Sequence, residues 1–119
     1  RTILPLGYYI PMDGPVGALV RAQKRHGCRP AHIHFLIGAE GYRELVTAVY
    51  LADDQYVDSD VVFGVSSSLV VSQRDNDPDA PIKGIPAIRY DFRLGRASGD
   101  NTGRVGADPS QILTKAGRA

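Results

Sequence analysis

What most constrains this chain is its shortage of helix. Its apolar runs are short and separated by turn residues, with 13 glycines and 8 prolines among 119 residues. A parallel sheet needs a long amphipathic crossover after each strand, and no strand-like run here is followed by one. The pattern therefore favours an all-β architecture over an α/β sheet: a β-sandwich of mixed or antiparallel strands with one short helix. That helix is expected to start at Pro15, a favoured first helical residue, with Val16, Leu19 and Val20 on one face. It runs into a basic cluster, Arg21, Lys24, Arg25 and His26, and a glycine stop at Gly27, which suits a helix C-terminus.

Residues 1–7 read as a short edge strand broken at Pro5, since proline removes a ladder donor. The opening RTILPL has the look of a fragment entered partway through a strand. Residues 7–17, GYYIPMDGPVG, form a turn-rich loop. Residues 29–37, RPAHIHFLI, predict a strand in which His32 and His34 share one face while Ile33, Phe35 and Ile37 take the other. After a turn at residues 38–41, the run LVTAVYL at 45–51 reads as a buried strand antiparallel to it. Residues 56–64, YVDSDVVFG, suit a loop or a turn of helix packed on the sheet, and residues 68–73 a further short strand. The clearest alternation lies at residues 87–94, with Ile88, Tyr90, Phe92 and Leu94 opposed to Arg89, Asp91 and Arg93; a half-buried strand is expected there. Residues 1–95 thus make one domain. Residues 96–119 turn to Gly, Ala, Arg and Ser and predict an extended tail with one helical turn near Ile112 and Leu113.

Fourteen basic against thirteen acidic residues give a net charge of +1, which offers no footprint for nucleic acid or a membrane surface. The single cysteine, Cys28, cannot form an internal disulfide and fits a reducing cytoplasm. No apolar run reaches transmembrane length.

Two imidazoles side by side on a rigid strand make a metal clamp, and a metal needs more ligands than two. Tyr8, Tyr9, His26, Cys28, Glu44 and the Asp58/Asp60 pair are candidates. Cys28 lacks a second ligand at zinc-finger spacing. Glu44 with His32 and His34 would make a ferrous facial triad or a cupin-like zinc site. A tyrosine is the more specific choice. Its proton normally leaves only near pH ~10, but a highly charged cation such as Fe(III) favours the phenolate at neutral pH.

The combination of GYYIPMDGPVG, RHGCRPAHIHFLI and GYRELVTAVYLADDQYVDSDVVFGV resembles the catalytic domain of the intradiol ring-cleaving dioxygenases, the catechol and hydroxyquinol 1,2-dioxygenases. The resemblance implies a β-sandwich, here without the N-terminal part of the family domain, and Fe(III) held by tyrosines and histidines. The histidine ligands fall on His32 and His34, and a tyrosine ligand falls on Tyr8. The family's other tyrosine ligand falls before Arg1. Arg29, which opens RPAHIHF, takes the position that stabilises charge developing on the substrate. That missing tyrosine is one departure from the family, and Ala48, standing where catechol-cleaving members carry glutamine, is the other; Val62 matches a family position beside the substrate ring. The reaction implied is O₂-dependent cleavage of catechol or hydroxyquinol between its hydroxylated carbons, in aromatic-compound catabolism, by a cytoplasmic enzyme that is a homodimer at full length. A rival reading is a non-catalytic β-sandwich module that keeps the motif as a relic, with Arg29 paired to a carboxylate and Tyr8 merely packed.

Overall fold

The computed structural model describes residues 2–97. Apolar residues at every second position demand a surface to cover, and this alternation builds the centre of the molecule. Strands β3 (His32–Ile37) and β4 (Leu45–Leu51) pair antiparallel along their whole length. Opposite residues share a face: Ile33 lies across from Val49 and Phe35 across from Thr47, while His32 lies across from Tyr50 and His34 across from Ala48. One face of the hairpin is therefore apolar and the other carries the histidines. A two-residue strand β5 (Val70–Val71) adds to β4 in parallel, giving the order β3-β4-β5.

The core forms on the apolar face. Ala31, Val49, Leu51 and Val71 are buried together, with Ile33, Phe35, Ile88, Tyr90 and Phe92 packed on them. The Phe35 and Phe92 rings stand 4.7 Å apart. A second, two-stranded sheet pairs β1 (Tyr8–Tyr9) antiparallel with β2 (Cys28–Arg29), so that Tyr8 faces Arg29 and Tyr9 faces Cys28 in register. Between them runs helix α1 (Pro15–Ala22), which starts at Pro15 as expected. No described helix is long and apolar enough to cross a membrane.

Four local expectations are corrected. Residues 2–7 form no strand; pairing begins only at Tyr8, beyond Pro5. Helix α1 stops at Ala22 instead of running to Gly27, because the chain closes it early. The N–H of Arg25 donates to the Val20 carbonyl (3.1 Å), the N–H of Lys24 donates to the Arg21 carbonyl (2.9 Å), and Lys24 adopts φ 54°. That is a Schellman closure with lysine at the left-handed position that glycine usually takes. The expected strand at 68–73 is a 3₁₀ turn, Ser67–Leu69, followed by the two residues of β5. Residues 87–94 keep their alternation of half-buried and exposed side chains yet are not a strand. Only isolated bridges, Arg74 to Ala87 and Tyr42 to Arg96, tie their flanks. Alternation reports which face is covered, whereas a strand also needs a ladder partner. The predicted tail from residue 98 onward, with its turn near Ile112, lies outside the described residues.

Candidate metal and substrate site

The histidine face of the hairpin is where the sequence candidates meet. The His32 and His34 rings, two residues apart on β3, lie 4.8 Å apart between centroids in an edge arrangement. The tautomer of His32 follows from its partner. Its Nδ1 lies 2.6 Å from the carbonyl oxygen of Pro30; a carbonyl can only accept, so Nδ1 carries the proton and the lone pair belongs to Nε2. An imidazole pinned in this way offers Nε2 as a ready ligand.

Strand alternation separates the two tyrosines. The Tyr8 ring stands 5.8 Å from that of His32. Tyr9 turns the other way, towards Cys28 and Tyr56, and the Tyr56 hydroxyl is pushed above the ordinary tyrosine value, first by the neighbouring Cys28 thiol and then by Tyr9. The path of β1 is tight: a Cβ at Gly7 would lie 2.9 Å from the Arg29 carbonyl oxygen and 2.9 Å from an Asp54 oxygen. Asp54 in turn accepts the N–H of Ala31 (2.9 Å) and of Tyr56 (2.8 Å), fixing the turn that feeds His32 into β3.

Arg29 sits beside this group, mostly covered. Its Nε donates to Asp60 Oδ1 (3.3 Å) and its Nη2 to the Tyr50 hydroxyl (3.2 Å). Burial works to lower the guanidinium pKa, but the hydrogen bond to Asp60 and the neighbouring Tyr8 hydroxyl outweigh it and the value is raised. Arg29 is thus a permanent cation opposite Tyr8 and bonded to Tyr50, whose ring lies 5.5 Å from that of His32.

The remaining candidates lie elsewhere. Glu44 precedes β4 and is four residues along the strand from Ala48, the partner of His34, which is about 13 Å at the rise of a strand. That separation sets Glu44 apart from the two histidines. His26 Nε2 is engaged by Ser59 Oγ at 2.9 Å, and its Nδ1 accepts the Cys28 N–H at 3.1 Å. Cys28 is buried. Among the described residues, no three of the His, Cys, Asp and Glu side chains cluster as a metal site. Ala48 shares the histidine face and is buried, while Val62 is half exposed and its N–H reaches Asp60 Oδ1 at 3.4 Å. An open cleft of about 880 Å³, lined among others by Lys24, Arg25, His26 and Phe63, shares only Asp60 with this group of residues.

Sequence reasoning missed two residues here. Asp60 was a candidate ligand and instead holds Arg29; Tyr50 was read only as part of a buried strand. The period-two pattern does put Tyr50 on the histidine face, and that was the signal available for it.

A family profile described as Dioxygenase matches residues 1–96 of this chain. The 6-chlorohydroxyquinol 1,2-dioxygenase of Cupriavidus pinatubonensis is 59% identical over 70 residues, which is 59% of this chain and 25% of that protein. The intradiol ring-cleavage dioxygenase hqdA of Aspergillus niger is 41% identical over 124 residues, 99% of this chain and 37% of its own. Among solved structures, the hydroxyquinol 1,2-dioxygenase of Pseudomonas putida DLL-E4 superposes with a TM-score of 0.72 at 46% identity, over 79% of this chain and 35% of that one. The chain belongs to the intradiol ring-cleavage dioxygenase family. It spans between 25% and 37% of the length of the two curated relatives.

Proposed function

We propose that this chain carries the iron-binding and substrate-facing part of an enzyme that cleaves a catechol-type aromatic, hydroxyquinol or catechol, between its hydroxylated carbons with O₂. The observation that supports the reading best is the convergence of Tyr8, His32, His34 and Arg29 on one face. Tyr8 stands 5.8 Å from His32, which stands 4.8 Å from His34, between ring centroids. Two imidazoles, one with Nε2 free by virtue of the Pro30 bond, and a phenol form the nitrogen-and-oxygen donor set that suits Fe(III). When bound, the ferric ion supplies the electronic step that lets O₂ react with an aromatic diol.

The chain's own residues then do the following. Tyr8, His32 and His34 hold the ion. Pro30 keeps the His32 proton on Nδ1. Arg29 presents a fixed positive charge where negative charge develops on the ring. Ala48 leaves room on the same face as His34, and Val62 gives an apolar wall. The fold around them is a β-sandwich over residues 1–95; the full-length protein is a cytoplasmic homodimer working in aromatic-compound catabolism.

Tyrosinate bound to Fe(III) absorbs strongly in the visible. Iron-loaded protein is expected to be burgundy, to bleach with dithionite and to consume O₂ with hydroxyquinol or catechol. Tyr8→Phe removes the colour and Tyr9→Phe keeps it. A colourless protein that takes up no iron sinks this reading and favours a non-catalytic module.

A further inference from the structure

An arginine that stabilises charge on a small ring acts only where its planar fork is held, because a free guanidinium samples many rotamers and pays entropy to stop. We infer that Asp60 and Tyr50 are positioning residues, which fix the plane of the Arg29 guanidinium beside His32 and Tyr8. The inference rests on the reading of Arg29 given above and extends it to groups that need not touch substrate.

The contacts have the form that positioning requires. Asp60 holds Nε and the Tyr50 hydroxyl holds Nη2, at 3.3 and 3.2 Å. Two holds on different nitrogens stop both rotation and sliding of the fork. Arginine–carboxylate pairs are frequently made through both oxygens. Asp60 instead gives the guanidinium one oxygen and is itself anchored by backbone: Oδ2 accepts the Gly64 N–H at 2.8 Å and Oδ1 the Val62 N–H at 3.4 Å. Its side chain is 1% exposed, so it has no freedom to follow the arginine; the arginine must follow it.

Tyr50 adds the link to the metal-facing residues. It lies opposite His32 in the β3–β4 register, with the two rings 5.5 Å apart. The same side chain thus abuts the imidazole and holds the guanidinium. Space for it comes from Gly64, where a Cβ would lie 2.6 Å from the Tyr50 hydroxyl and 3.3 Å from Arg29 Nη2. The loop carrying Val62 and Gly64 is tied to the same carboxylate, so the apolar wall and the cation are set by one buried group.

Asp60→Asn and Tyr50→Phe test this in the whole chain. The asparagine carries no charge and offers one acceptor oxygen, so the Arg29 bond is either lost or no longer charge-assisted, and its Nε–H signal moves in both cases. In protein labelled with ¹⁵N-arginine, Arg29 is expected to give a separate, slowly exchanging Nε–H signal that Asp60→Asn moves among those of exposed arginines. In iron-loaded protein with hydroxyquinol, Tyr50→Phe is expected to lower kcat about tenfold while KM changes by less than about twofold, the split of a transition-state effect. In an Arg29→Ala background, Tyr50→Phe and Asp60→Asn should cost no further kcat. Losses that add in that background, or an Nε–H signal unmoved by Asp60→Asn, overturn the inference. If Asp60→Asn does not fold, Tyr50→Phe leaves no buried charge unpaired and decides both arms, its spectral mark being a shift of the Arg29 Nη signals. Should wild-type protein show neither colour nor turnover, the proposed function fails, while the arginine spectra still decide whether the fork is held.

Discussion

A methyl group added at Gly64 probes the packing around Arg29 by stability alone. The Cβ of Gly64→Ala would stand 2.6 Å from the Tyr50 hydroxyl, 3.1 Å from Asp60 Oδ2 and 3.3 Å from Arg29 Nη2. Non-bonded heavy atoms settle near ~3.5 Å, so the hydroxyl must retreat by most of an ångström. Tyr50 has little room to do so: it is buried on the central strand, and its ring is 5.5 Å from that of His32. Retreat therefore breaks the 3.2 Å bond to Arg29. Overpacking costs about 1–3 kcal/mol, and a hydrogen bond to a charged group contributes about 1.5 kcal/mol or more. We expect a loss of about 3 kcal/mol, read in urea as a midpoint lowered by about 1.5 M at unchanged slope. Tyr50→Phe deletes the clashing atom, so in that background the alanine should cost about 1 kcal/mol or less. The reasoning is refuted by equal losses in the two backgrounds.

Val49 has no exposed surface, and Val49→Ala should cost about 2–3 kcal/mol in a denaturant titration through two lost methyl groups and the cavity they leave. Val46→Ala, on the open face of the same strand, should stay within about 0.5 kcal/mol. The Arg89 guanidinium, bonded to both oxygens of Asp77 at 2.8 and 2.9 Å, and then the Asp79 N–H hold the Asp77 carboxyl below the usual carboxylate range. A folded value below the unfolded one makes the pair's contribution complete above the unfolded value near pH ~4, and the contribution fades as pH falls through the folded value. Arg89→Gln should therefore lower Tm at neutral pH, with the gap to wild type closing on acidification; a gap constant with pH would contradict the assignment. His34→Ala should cut iron uptake without changing the urea midpoint by more than about 0.5 kcal/mol equivalent, because the residue is solvent-exposed on an edge strand.

The parts of this fold that could be read ahead of the structure are those specified locally. Residues 32–37 and 45–51 have strand length, alternation or continuous apolarity, and a glycine-bearing turn between them, and they pair as their pattern requires. The shared face of His32 and His34 follows from the same alternation. Periodicity alone left Tyr8 and Tyr9 equivalent, since in an irregular loop either ring can turn inward; the family resemblance favoured Tyr8, whose ring stands 5.8 Å from that of His32. Residues 87–94 misled because alternation encodes a covered face and says nothing of a ladder partner. A carboxylate partner for Arg29 was foreseen in the non-catalytic reading, but which one was hidden for a different reason: Asp60 lies 31 residues away in sequence, and only tertiary packing brings the two together. The early end of α1 was hidden by chemistry, a lysine standing in the left-handed position where glycine would have announced the stop.

The burial of Cys28 turns the chain's only thiol into a gauge of local opening. Its backbone pairs with Tyr9 of β1 and its carbonyl accepts the Val61 N–H at 3.0 Å, so a thiol reagent is expected to reach sulfur when β1 lifts away. The rate of labelling under native conditions then counts those excursions, which are far more frequent than complete unfolding when one short strand detaches alone. Tyr8 leaves its place with β1 each time. Whatever fastens Tyr8 to the histidine face must therefore slow the modification of a sulfur it never touches.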